Sequence, residues 1–183
     1  MAETSKMIPL GTIAPIFKLL DTVSGKNMQL SDLASDKATV ITFICNHCPY
    51  VKHIQARLVE IAKTYQAKGV SFIAISSNDP IGYPQDGPDM MRKEAEQHGY
   101  TFPYLFDADQ SIARAYQAAC TPEMYVFDGK LHCVYRGRFD DSNPKNGLPC
   151  TGKDLTQALD AVLAGKAVSG EQAPSIGCGI KWR

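Results

Sequence analysis

This sequence has no surplus of either charge. Lys plus Arg and Asp plus Glu are each 19, so the formal net charge is zero. That excludes the electrostatic footprint of a nucleic-acid binder or a polybasic membrane-surface segment. No run approaches the roughly 18–20 apolar residues of a membrane span. The start, MAETSKMIPLG, lacks the apolar stretch behind a basic end that marks a secretory signal. The expectation is a soluble protein of a reducing compartment, the cytoplasm, with neither nucleic acid nor membrane as partner. Cysteine is too sparse for a disulfide scaffold. There are six in 183 residues, where such scaffolds carry roughly 8–10%. These thiols are left for a redox site, a metal site or plain packing.

What is present is an alternation of strand-like and helix-like segments over a length that suits one domain, residues 1–183. Two short runs, Ile16–Leu20 and Met28–Leu30, open the chain. Thr39–Ile44 is continuous, β-branched and aromatic, as in a strand buried on both faces. Pro49 then opens a helix, with Val51, Ile54, Leu58, Ile61, Ala62 and Tyr65 at helical spacing and Lys68-Gly69 as its stop. Val70–Ser76 is a second buried strand. After a Pro- and Gly-rich loop, Asn78–Pro88, a helix is predicted over Asp89–His98. A short extended run, Phe102–Phe106, and a helix over Gln110–Ala119 follow. Met124–Phe127 and Leu131–Arg136 are strands joined at the hairpin signal Asp128-Gly129-Lys130. Gly152–Leu163 is the last helix, and the tail from Lys166 to Arg183 shows no period. Strands separated by helices imply parallel pairing, and the late hairpin implies antiparallel pairing. The fold class is therefore α/β, a central mixed β-sheet flanked by helices on both faces. Ligands in such sheets sit at the C-terminal ends of the parallel strands, and the segment from Ile44 to Pro49 lies at one.

That segment reads Cys45-Asn46-His47-Cys48-Pro49. With Pro49 first in the helix, Cys48 is the N-cap. Its sulfur then faces unpaired N–H groups and the positive end of the helix dipole, and both favour the nucleophilic thiolate. His47, if protonated, adds a tuning charge. Cys45 has the C-x-x-C spacing to close a disulfide with Cys48. Two other readings stay open: a pair of inert buried cysteines, and a metal held through Cys45, His47 and Cys48. Zinc usually takes four ligands in a structural site, and no second C-x-x-C or C-x-x-H occurs. No metal and no cofactor is assigned.

The stretches VITFICNHCPYVK, AACTPEMYVFDGK, YRGRFDDS and SIGCGIKW resemble the thioredoxin-fold redoxin superfamily (AhpC/TSA-type), and more narrowly its peroxiredoxin-like thioredoxin-family group. The resemblance implies a thioredoxin fold with an N-terminal β extension and a C-terminal tail, residues 166–183. Laid without gaps on the thioredoxin strand V-D-F-W-A and its C-G-P-C, Phe43 falls on the Phe and Cys45 on the Ala. Cys48 falls on the first active-site Cys and Val51 on the second, while Thr42 takes the place of the buried Asp. The apparent C-x-x-C is thus displaced one turn upstream, and both arguments converge on Cys48. Peroxiredoxins place Pro and Thr seven and three residues before a Cys-Pro; here Ile41 and Cys45 stand there. No Arg lies near Pro122, and Arg136 and Arg138 belong to a later strand, which weakens a peroxidase reading.

By the same resemblance, Thr121-Pro122 is the substrate-positioning cis-proline loop. It should face the active cysteine and leave the backbone of Thr121 free to pair with a bound peptide. Cys120 and Cys178 become alternative resolving thiols, against the plainer readings of a small buried side chain and a structural tail. Glu123 is expected to be a surface residue rather than a proton acceptor near Cys48. Cys133 is expected in the core, and Cys150 is incidental. His53, His98 and His132 receive no role, and Trp182 is expected to help dock the tail. The leading expectation is a thiol–disulfide oxidoreductase. Its partners would be protein or small-molecule disulfides and a reducing system such as thioredoxin or glutathione. The alternatives are a thiol peroxidase acting on peroxides and a non-catalytic metal-binding module.

Overall fold

A computed structural model describes residues 2–183. Strands β1 (Ala2–Thr4), β2 (Lys18–Asp21) and β3 (Asn27–Gln29) lead into a single helical turn, α1 (Leu30–Leu33). The central unit is β4 (Ala38–Phe43), α2 (Pro49–Gln66), β5 (Val70–Ser76), α3 (Pro88–His98) and β6 (Tyr104–Phe106). It is followed by α4 (Ser111–Ala115), β7 (Cys120–Thr121), β8 (Glu123–Asp128), β9 (Cys133–Gly137), α5 (Lys153–Leu163) and β10 (Ile176–Gly179). Seven strands form one sheet in the order β3-β2-β6-β5-β4-β8-β9. β4, β5 and β6 are parallel, as crossovers through α2 and α3 require, and β8 is antiparallel to both β4 and β9. All six residues of β4 are buried. This explains its unbroken apolar and β-branched sequence at the centre of the sheet.

Because side chains alternate across a strand, each face has its own core. On one face Val40, Phe72, Ala74 and Val126 meet α2, α3 and α5 through Leu58, Ala62, Met91, Ala95, Leu155 and Leu159. On the other, Ile41, Phe43, Ile73 and Ile75 pack with an aromatic group, Tyr116, Tyr125 and Phe127. Tyr116 and Tyr125 stand edge to face at 5.8 Å between ring centroids. Only the short α1 and α4 lie over that face, and Ile8, Ala14 and Phe17 of the N-terminal segment complete its cover.

Two expectations change. The helix predicted over Gln110–Ala119 stops at Ala115, and Gln117 turns to a left-handed φ of 53°. The Glu123 carboxylate takes the N–H groups of Ala119 and Cys120, drawing the chain out of the helix and into β7. The tail is not without regular structure: β10 lies between β1 and β7 in a second, three-stranded antiparallel sheet. Trp182 does hold the tail, with the Arg114 guanidinium 4.5 Å from its ring centre.

Candidate active site

Cys48 is the N-cap of α2, with Pro49 in the first turn, and it is fully buried. Its Sγ lies 3.2 Å from the carbonyl oxygen of Thr121, which accepts from it when the thiol is protonated. Thr121-Pro122 is cis, so the loop faces the cysteine as expected. The Val51 N–H is directed at the sulfur without closing a full capping bond. Cys48 is pulled down to about 5, chiefly because the Cys45 thiol donates to it, with Cys178 and the Val51 N–H adding to this against the opposing effect of burial. Cys45 moves the other way, far above the ordinary thiol range, because its S–H donates a hydrogen bond to Cys48 and it is itself buried. The pull is thus toward a thiolate on Cys48 and a proton kept on Cys45.

His47 departs from its expected role. Its Nδ1 lies 2.6 Å from Oδ2 of Asp86 and 4.0 Å from the Cys45 sulfur; these, rather than Cys48, are its side-chain partners. The ring stacks on Tyr83 at 5.0 Å. Asp86 comes from the loop after β5 and is completely buried. One oxygen accepts from the backbone N–H groups of Asn46 and His47, and the other from the Asn78 amide and His47. It therefore clamps the strand-to-helix turn carrying both cysteines, a role the sequence did not disclose. Cys45, His47 and Asp86 offer ligand atoms within 4.8 Å of one another. Both Asp86 oxygens are already saturated by protein donors, so the arrangement fits an oriented imidazole better than a metal cage. Cys48, the third ligand of the metal reading, is engaged with Thr121 and Cys178 instead.

Glu123 is a correction: it is buried, not a surface residue. Besides the two N–H groups before the cis bond, it accepts the Tyr125 hydroxyl at 2.7 Å. Burial raises its carboxyl above the ordinary range. The Cys120 sulfur lies 3.7 Å from Glu123 and 3.9 Å from the Ser175 carbonyl. Burial pushes this thiol well up, and as the neighbour of Thr121 it sits on the opposite face of β7. The backbone of Thr121, expected to be free, is paired with β10, where Cys178 stands directly opposite it. Cys133 is in the core as expected, and Cys150 is half-buried. His53 bonds Ser142 at 2.9 Å, while His98 and His132 lie near Glu94 and Asp128. Arg136 is engaged with Ile8 and Gln172, and Arg138 with Asp154. Neither is committed to Cys48.

A thiolate at a helix N-terminus, facing a cis-proline loop at the end of a parallel strand, defines a thioredoxin-fold thiol protein. The AhpC/TSA family profile matches residues 10–136, and the chain belongs to that family. It is similar to the thiol-disulfide oxidoreductase ResA of Geobacillus thermodenitrificans, 26% identical over 143 residues and 77% of each chain. An uncharacterized conserved protein from Geobacillus kaustophilus has nearly the same structure. Its TM-score is 0.99 at 56% identity, over 100% of this chain and 97% of that one. A hypothetical protein from Sinorhizobium meliloti follows at 0.96 and 44%, over 98% of each chain. The peroxidoxin BcpB of Mycobacterium tuberculosis shares the fold, with a TM-score of 0.63 at 20% identity over 85% of this chain and 96% of that one.

Proposed function

We propose that this protein is a thiol–disulfide oxidoreductase whose nucleophile is Cys48. The observation that carries this reading is Cys48 at the N-cap of α2, facing the cis Thr121-Pro122 loop with Cys45 three residues before it; the pull on its acidity toward the thiolate agrees with this. The Cys48 thiolate attacks a substrate disulfide, breaks its S–S bond, expels one half as thiolate and retains the other as a mixed disulfide. The similarity to ResA proteins supports disulfides as the substrate class and an external thiol reductant as the partner that resets the enzyme. Thioredoxin and glutathione are the proposed reductants, and a reducing compartment, the cytoplasm, is the proposed location. No helix among the described residues is long and apolar enough to cross a membrane. A cleft beside the cis-proline, lined by Tyr50, His53, Ile54, Pro122 and Phe139, is the proposed seat of the substrate's flanking residues.

Insulin reduction with an external dithiol donor tests the reading. Activity should fall in Cys48→Ser to the background of the remaining thiols. Unchanged turnover in that variant contradicts the assignment. Consumption of hydrogen peroxide, dependent on Cys48 and faster than insulin reduction, would replace the reading with a peroxidase. The engagement of Arg136 and Arg138 away from the thiolate argues against that outcome.

A further inference from the structure

Cys178 is the half-exposed member of a group of three thiols, whereas Cys45 and Cys48 are sealed. It reaches Cys48 through register. β10 runs antiparallel to β7 and sets Cys178 opposite Thr121. Residues directly opposite in an antiparallel pair project to the same face. The Thr121 side chain on that face lies 3.4 Å from the Cys45 sulfur, and the Thr121 carbonyl meets Cys48. The Cys178 thiol consequently turns toward Cys48 and packs against the core that holds it, close enough for each thiol to shift the acidity of the other. Glycines on either side make this approach possible. A Cβ on Gly177 would stand 2.0 Å from the Thr121 carbonyl oxygen, and one on Gly179 would stand 2.6 Å from the Glu3 carboxylate.

We infer that Cys178 is the resolving thiol: β10 delivers it to the mixed disulfide on Cys48, and the oxidised enzyme carries a Cys48–Cys178 disulfide. The inference rests on Cys48 as nucleophile and assigns the second step to a residue other than Cys45. With glutathione disulfide as substrate, the Cys48 thiolate attacks one sulfur; one glutathione leaves as thiolate and Cys48 keeps the other. Cys178 then loses its proton to solvent and attacks the Cys48 sulfur. The second glutathione leaves as thiolate. Two electrons have passed from two protein thiols to one glutathione disulfide.

The electrostatics suit this order. Cys178 is pushed up to about 11 by burial first, and then by its hydrogen bond to Cys48 and the charge there. Once Cys48 is in a mixed disulfide its charge is gone, and both of those influences go with it. Lys181, which favours the Cys178 thiolate, remains. Cys45 lacks this release, because it is sealed at the end of β4 and also faces the Asp86 charge.

The test uses the full chain, reduced, treated with glutathione disulfide, quenched in acid and mapped without reduction. Cys45 and Cys48 share the tryptic peptide 38–52, and Cys178 lies on 167–181. A Cys48–Cys178 bond links two peptides, whereas a Cys45–Cys48 bond leaves a single peptide lighter by two hydrogens. Wild-type protein and Cys45→Ser should both yield the linked pair, and Cys178→Ser should retain glutathione on Cys48. A single-peptide disulfide in wild type, with glutathione lost from Cys178→Ser at the wild-type rate, overturns the inference. If Cys48→Ser gives the same products as wild type, the nucleophile assignment fails instead. The wild-type linkage is read without any substitution, so a variant that folds poorly leaves the result intact.

Discussion

Cys45 and Cys48 are three residues apart, yet their acidities are driven in opposite directions. A thiol that donates to a neighbouring thiolate eases removal of the first proton from the pair and opposes removal of the second, so the remaining proton stays on Cys45. The charge settles on Cys48, which alone faces the helix N-terminus. The sign for pH follows: Cys48 is a thiol below about 5 and a thiolate above it. At pH 6 its thiolate population is about 10³ times that of a thiol at the unperturbed value of 9.0. Ultraviolet thiolate absorbance should therefore rise through a midpoint near 5 that is lost in Cys48→Ser. Cys45→Ala removes the donor, so its midpoint should move up toward the ordinary thiol range. A midpoint unmoved by Cys45→Ala would show that the helix N-terminus suffices. His47 lies outside this pair: Asp86 and Tyr83 hold it facing Cys45, so it helps to shape the turn.

Among the elements, β10 does most with least. It is four residues long, and its flanking strands β1 and β7 have three and two. Its register depends on Gly177, whose missing side chain leaves room for the Thr121 carbonyl. Gly177→Ala should lift β10 from β7 at a cost of about 1–3 kcal/mol, the usual penalty for overpacking. Chemical denaturation should show that loss, and iodoacetamide should modify Cys48 faster. Gly170→Ala is the control, because a Cβ there meets nothing within 4 Å. Equal stability and equal Cys48 alkylation in the two variants would contradict the steric account. The fate of the helix after Gln110 belongs to the same scale. Its side-chain pattern continues past Ala115, but the N–H groups of Ala119 and Cys120 go to the Glu123 carboxylate beyond the segment's end, and the apolar spacing carries no sign of that.

Across the whole molecule, the parallel centre was legible because β4, β5 and α2 obey simple rules: continuous apolar runs for strands buried on both faces, a 3.6-residue period and Pro49 for the helix. The N-cap place of Cys48 was legible for the same reason, since a Cys-Pro at the start of a helix has local physical consequences. What stayed hidden depends on long-range partners. Asp86 meets His47 across 39 positions in the chain, and its loop looks like any polar turn. Glu123 reads as a strand-start surface residue until its three donors are assembled around it. β10 is too short and too rich in glycine to show a period of two, and its pairing with Ala2–Thr4 joins opposite ends of the chain.

The burial of Cys48 beneath the Thr121 carbonyl and β10 gives the enzyme a speed limit. A disulfide reaches the sulfur only when β10 has swung aside, and that opening is a first-order event independent of what waits outside. Stopped-flow oxidation by glutathione disulfide should accelerate with substrate at first and then level off at the opening rate, with a higher plateau in Gly177→Ala. A linear rise at the rate of an unhindered thiol would mean that the site opens without restraint. Below the plateau, substrate supply sets the pace of turnover; above it, the clock is a four-residue strand.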